Sequence, residues 1–216
     1  LVSAGSIVRY TLEQKDILIG SHIKEIAGIS DSPFENPKEQ IPLVFKSSFP
    51  LLDRSVEDAM KDEIIKAKED CDSVGGIIET AVTGLDAGLG EPFFDTVEGV
   101  ISHGVFSVPA VKGIEFGEGF NLAKMRGSEA NDPFGIKNGK IVTLSNNNGG
   151  INGGITNGSD IIFKTIIKPT PTIAKKQSTV DFEQKKEAEL EAKGRHDPCI
   201  VHRAAVVIDS VTALAL

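Results

Sequence analysis

Residues 145–172 read SNNNGGINGGITNG (145–158), SDIIFKTII (159–167) and KPTPT (168–172), and the fold is read outward from them. The middle stretch is short, apolar and β-branched, with glycine before it and proline after it, which predicts a buried strand over 160–167. The first stretch holds five glycines and five asparagines in fourteen residues. Such a composition permits positive φ at many positions and close approach of a planar or phosphorylated ligand to the backbone. A mobile surface loop explains the same composition equally well. A phosphate loop needs a Lys after the second glycine, and a dinucleotide turn needs GxGxxG between strand and helix; neither pattern is present. In the third stretch, Lys168, Thr170 and Thr172 set one cation and two hydroxyls on a turn stiffened by Pro169 and Pro171. That turn suits a phosphate, although a proline-bounded loop is the commoner meaning of its composition.

Upstream, 141–144 predicts a second strand beside the loop, and 74–82 (VGGIIETAV) a strand opening on a glycine pair, where close backbone approach is plausible. Residues 83–92 predict a loop, and 94–107 a helix that Pro109 ends. From Val111 the chain is punctuated by Gly113, Gly117 and Gly119. The firmest helix signal is Ser55 and Asp58 in an S-x-x-D start, with Val56, Ala59, Met60, Ile64 and Ala67 on one face. Pro33, Pro37, Pro42 and Pro50 mark 30–50 as an exposed connecting segment. Residues 17–29 predict a strand and 2–13 a short amphipathic helix. Downstream, the charged run 183–193 predicts a solvated element, and 203–216 a mostly apolar helix.

The 216 residues predict one domain, 1–216, long enough to bury a core without staples. Net charge −8 disfavours a broad nucleic-acid or anionic-membrane surface. No apolar run reaches the ~18 residues of a membrane span. Cys71 and Cys199 cannot form a disulfide framework or a cysteine-rich zinc site, and a reducing compartment fits. His22, His103, His196 and His202 show no metal-ligand spacing; His22 and His103 read as packing or surface residues, and no metal is expected. In Arg195-His196-Asp197-Pro198-Cys199, Arg195 offers a forked donor for phosphate or carboxylate, and Asp197 feels its charge. A plain turn with a solvated Arg195 is the simpler reading of that motif alone. The absence of an initiating Met and the uncapped apolar end lead us to expect a fragment or processed chain.

Five stretches, SVPAVKGIEFGEGF (107–120), SNNNGGINGGITNG (145–158), KPTPT (168–172), GRHDPC (194–199) and RAAVVIDSV (203–211), together resemble the chorismate synthase family. They stand in the family's order and at about its spacings, and they resemble the C-terminal part of its pattern. The family's G-[ED]-S-H-G motif and GGRSSAR segment, which belong with its two acidic histidines, have no counterpart here.

The resemblance implies an α+β fold, a β-α-β sandwich of helices between antiparallel sheets, and a cytoplasmic homotetramer. It implies a lyase that converts 5-enolpyruvylshikimate 3-phosphate to chorismate and phosphate by anti 1,4-elimination, with reduced FMN, the flavin being reduced either by the enzyme with NADPH (NADP chemistry) or externally. By the same resemblance Pro109, Ala110, Gly153, Lys168, Pro169, Thr170, Pro171, Thr172 and Arg195 would contact FMN. Arg195 would also contact substrate, and Asp197 would handle a proton. The alternative is a core that folds and assembles but does not turn over. Pro171 and His202 depart from the family's usual residues, and Pro171 has no backbone N–H to donate.

Overall fold

The computed structural model describes residues 1–216 except 138 and 195. In chain order the elements are α1 (Val2–Glu13), β1 (Leu18–Ile26), β2 (Ile29–Ser30), α2 (Pro37–Val44), α3 (Glu57–Glu69), β3 (Gly76–Thr83), α4 (Val97–Phe106), β4 (Val111–Phe116), α5 (Gly127–Ala130), β5 (Phe134–Lys137), β6 (Lys140–Thr143), β7 (Ile151–Asn152), β8 (Ile155–Thr156), β9 (Ile161–Ile167), β10 (Gln177–Asp181), β11 (Lys186–Leu190) and α6 (Val201–Ala215). Five strands form an antiparallel sheet in the order β2-β1-β3-β9-β4, and β5–β6, β7–β8 and β10–β11 pair as separate hairpins.

The sheet alternates as a two-faced surface should. Ile161, Phe163, Thr165 and Ile167 of β9 are buried on one face, opposite Val82, Thr80 and Ile78 of β3. Fully burying a side chain such as Phe163 contributes about 1.5–3 kcal/mol. Helix α6 lies across β1 and β3 on this face, with α1 and α4 against its flanks. The other face carries a row of charged and titratable side chains in register across four strands: His22 opposite Glu79, Glu79 opposite Lys164, and Lys164 opposite Glu115. Helix α2 covers part of that second face, where Ile41 packs over Gly20.

Most expected elements form within one to three residues of their anticipated bounds, and the α+β class holds. Several readings need correction. The 30–50 segment is not merely an exposed connection, because it contains α2, whose Pro37, Ile41 and Val44 are buried. Ser55 does not cap a helix. Asp53 caps instead, accepting from Ser55 N at 2.8 Å in a short 3₁₀ turn, and α3 follows from Glu57. Ala59 is exposed, so the buried line of α3 is Met60 and Ala67. The glycine-punctuated stretch forms strand β4 only as far as Phe116, before Gly117 and Gly119, whereas the run 183–193 is largely exposed, as expected, and contains β11.

The glycine pair is a place of close backbone approach. A Cβ on Gly75 would lie 2.4 Å from Ile167 O, and one on Gly76 would lie 2.0 Å from Glu25 O. Helices α1 and α6 cross as tightly, since a Cβ on Gly5 would lie 2.4 Å from Ser210 Cβ. Gly5→Ala is therefore expected to lower unfolding stability by about 1–3 kcal/mol through overpacking, read from urea unfolding midpoints. An unchanged midpoint would show that this crossing has slack.

Candidate functional site

Strand β9 runs antiparallel to both neighbours, so its C-terminal end lies beside the starts of β3 and β4. Three segments meet there. Lys168 N donates to Ala110 O at 2.9 Å, joining the 168–172 turn to the Pro109-Ala110 corner. Ser73 Oγ donates to Thr170 O at 2.7 Å, and Val74 N donates to Pro198 O at 2.8 Å. Residues 73–75 thus clasp the 168–172 turn on one side and the 196–198 segment on the other. Ala110 holds φ at +74°, a left-handed conformation unusual for a residue with a Cβ.

Two groups at this end invite a ligand. Thr170 Oγ1 is buried without a hydrogen-bond partner among the described residues. Lys168 makes no ion pair among the described residues. Asp197 is held by Arg203, whose Nη2 lies 2.6 Å from its Oδ2. His196 Nε2 lies 3.2 Å from Ala192 O. A hollow of about 250 Å³ opens beside these segments, lined in part by Cys71, Ile173, His196 and Pro198. Arg195 lies outside the described residues.

Gly153 stands at the opposite end of the sheet. It tips the β7–β8 hairpin, and its neighbour Gly154 accepts from Val97 N, at the start of α4, at 3.0 Å. The seven residues of β9 separate it from Lys168 by roughly 23 Å of strand.

The Gly/Asn loop is tied down by hydrogen bonds, and the organiser is a residue the sequence reading passed over. Asp132 accepts from Ser145 Oγ (2.6 Å), Asn147 N (2.7 Å), Asn148 N (2.9 Å) and Asn148 Nδ2 (2.7 Å). Burial opposes its charge, but the hydrogen bonds from Ser145 and Asn148 outweigh that and hold the carboxyl below its usual 3.8. Asn146 Nδ2 donates to Asp160 O, and Glu118 N donates to Asn147 O. Gly117 is required here, because a Cβ on it would lie 2.1 Å from Asn147 O. The asparagines are therefore struts whose amides tie the loop to its surroundings.

A family model described as chorismate synthase matches residues 1–216. The chain belongs to the chorismate synthase family. A chorismate synthase of Archaeoglobus fulgidus is 43% identical over 215 residues, which cover 100% of this chain and 59% of that protein. One of Korarchaeum cryptofilum is 52% identical over 157 residues, 73% of this chain and 44% of that protein. A crystal structure of chorismate synthase superposes with a TM-score of 0.80 at 27% identity, covering 98% of this chain and 59% of the other. The chain thus spans about three-fifths of the length of these chorismate synthases.

One buried cluster of this chorismate synthase family member escaped the sequence reading, which placed His22 among packing or surface residues. His22 is wholly buried, with Nδ1 2.9 Å from Asp31 Oδ2 and Nε2 2.9 Å from Glu79 Oε2. An imidazole with carboxylates at both nitrogens is satisfied as a cation. Burial disfavours that cation, but the hydrogen bonds to Asp31 and Glu79 prevail and raise its pKa above 6.5. Asp31 also accepts from Leu52 N and Asp53 N, and Glu79 from Phe34 N, so the cluster pins two loops to the sheet. Only an H-x-x-x-x-x-x-x-x-D spacing marked the first pair, and no sequence signal linked Glu79.

Asp132→Ala is expected to speed amide hydrogen exchange at 145–148 and to weaken the fold by about 1.5–3 kcal/mol, the scale of hydrogen bonds to a charged group. Asp132→Asn should lose less. Exchange at wild-type rates in Asp132→Ala would remove Asp132 as organiser.

The His22 cluster also sets a pH dependence. The contribution of His22 is complete below 6.5 and is lost as pH rises through its raised folded value. Those of Asp31 and Glu79, whose pKa values are lowered, are complete above 3.8 and 4.5 and are lost on acidification. The melting-temperature gap between wild type and His22→Gln should therefore be widest between about pH 4.5 and 6.5 and should shrink above it. A gap constant to pH 9 would mean His22 is buried neutral.

Proposed function

We propose that this chain, as one domain, forms part of a chorismate synthase that converts 5-enolpyruvylshikimate 3-phosphate to chorismate and phosphate. The supporting observation is the convergence of Pro109-Ala110, Lys168–Thr172 and His196–Pro198 at one end of the sheet, in a chain matched by the family over its whole length. In this reading the protein acts on a small anionic molecule as a cytoplasmic homotetramer, not on nucleic acid. No helix among the described residues is long and apolar enough to cross a membrane.

The residues present fit one wall of a flavin phosphate site. Thr170 Oγ1 is an unmet polar atom, Lys168 an uncommitted cation, and Ala110 turns the backbone in a left-handed corner beside them. The adjacent 250 Å³ hollow falls short of the roughly 300–1,000 Å³ of whole ligand pockets, so other walls complete the site. Reduced FMN, when bound, would supply a transient electron that helps phosphate depart, with no net redox change.

The chain's own residues bind and orient. Lys168 and the Thr170 and Thr172 hydroxyls would hold phosphate charge, and Arg195 would offset the charge on the leaving group. Asp197, oriented by Arg203, would hold a proton near the flavin. Gly153, at the far end of β9, would serve such a site only from a neighbouring copy. The alternative is that the 216 residues by themselves fold and assemble without turning over substrate.

The deciding experiment is a flavin fluorescence titration, with and without 5-enolpyruvylshikimate 3-phosphate. Wild type is expected to bind FMN more tightly when substrate is present, and Lys168→Met with Thr170→Val to weaken binding at least tenfold. Arg195→Ala in a complete enzyme should abolish turnover without unfolding it. FMN binding unaltered in the double variant would remove the 168–172 turn from the site. Chorismate formed by the 216 residues alone would exclude that alternative.

A further inference from the structure

Away from the 168–172 end, α6 faces a second cavity of about 520 Å³, lined by Ser21, Phe45, Pro50, His202, Val206 and Asp209. Asp209 and His202 lie seven residues apart, so about two helical turns, roughly 10 Å, separate the two polar ends of one face, with Ala205 and Val206 between them. A smaller hollow of about 220 Å³ reaches the same Asp209 from the α1 side.

The charge at the inner end is poorly met. Asp209 Oδ1 accepts from Ser21 Oγ at 2.5 Å, and that hydroxyl lies 2.7 Å from Thr80 Oγ1. Its Oδ2 has Arg9 Nη1 at 3.8 Å, beyond hydrogen-bond distance. Arg9 is shared: it forms this long ion pair with Asp209, its Nε lies 3.2 Å from Glu13 Oε1 without a hydrogen bond among the described residues, and its guanidinium sits 3.6 Å over the Phe45 ring. A buried carboxylate without a hydrogen-bonded cation is strongly disfavoured, and a cation brought to Oδ2 relieves it. At the outer end His202 Nδ1 is buried and has no hydrogen-bond partner among the described residues. Apolar walls join the two ends.

We propose that this cavity binds a small primary amine with a short apolar chain, its ammonium on Asp209 and Ser21 and its chain along Phe45 and Val206. A hydroxyl at the far end of that chain would meet His202 Nδ1. Ammonium fits because it is compact and brings three donors to a carboxylate and a hydroxyl. Anions are excluded by Asp209, and a neutral alcohol leaves its charge unrelieved.

Burial pushes Asp209 up to about 6, so binding should fall as pH drops through that value. The charged and titratable groups around it are Arg9 and, beyond it, Glu13 from α1, and His202 and Arg203 from α6; β1 and β3 offer the Ser21 and Thr80 hydroxyls.

The test titrates the purified protein at pH 7.5 with hexylamine, 1-hexanol, hexanoate and 6-amino-1-hexanol, following the amide signals of Ala205 and Val206 by NMR. Hexylamine should shift them saturably, with at least tenfold weaker effect from 1-hexanol or hexanoate and a tenfold loss at pH 5. The amino alcohol should bind at least threefold tighter than hexylamine, a gain absent in His202→Phe. Asp209→Asn should lose hexylamine binding tenfold. Val206→Trp, at a position 43% exposed, should fill the cavity and abolish binding without disturbing the fold, so the test survives if Asp209→Asn misfolds. Equal shifts by hexanoate, or hexylamine binding unchanged in Val206→Trp, would overturn the proposal.

Discussion

The register of β9 is the constraint on which the rest of the molecule depends. Its residues alternate between a buried set, Ile161, Phe163, Thr165 and Ile167, and a set on the other face that includes Lys164. A slip of one residue would drive Lys164 into the helical layer and turn Phe163 out, a change no neighbouring strand could absorb. Because β9 pairs with both β3 and β4, the same constraint fixes the starts of those strands against its end. The 168–172 turn, the Pro109-Ala110 corner and the 73–75 clasp meet for that reason.

A second consequence of strand register is the placing of ionisable groups on both sides of the sheet. Ser21 and His22 are consecutive on β1, and Thr80 and Glu79 are their partners on β3. Consecutive strand residues point to opposite faces. Ser21 and Thr80 therefore join Asp209 beneath α6, while His22 and Glu79 join Asp31 on the other face. The two clusters differ in kind. The imidazole between two carboxylates is balanced by close hydrogen bonds, whereas Asp209 has one close donor and a guanidinium in ion-pair but not hydrogen-bond range, at 3.8 Å. One cluster fastens loops to the sheet, and the other leaves a carboxylate whose only cation among the described residues is Arg9, in a long ion pair.

Much of this was legible in the sequence. Strand β9 announced itself by an apolar β-branched run between glycine and proline, and α6 by its apolar length. Three of the five family motifs hold the segments that meet at one end of the sheet, while the 145–158 motif lies at the other end of β9. Other elements left weaker marks. Helix α2 hides among four prolines because Pro37 sits at a helix start, where it is tolerated, and its buried line of three side chains is too short to show a period. The strand β5 has exposed apolar residues and no core-facing alternation, so only pairing with β6 defines it.

What the sequence by itself determined is therefore which segments exist and to which family they belong, since periodicity, turn residues and ordered motifs are local properties. The tertiary structure alone decided which segments meet. Asp132 becomes the organiser of a loop thirteen to sixteen residues away. Glu79 reaches His22 across 57 residues, and Asp209 reaches Ser21 across 188. Such contacts leave no spacing in the chain, because their geometry is set by strand register and by a helix crossing close enough to require Gly5. For the same reason Gly153 and Lys168, fifteen residues apart in one run of motifs, stand at opposite ends of β9, since an extended strand between two segments holds them apart.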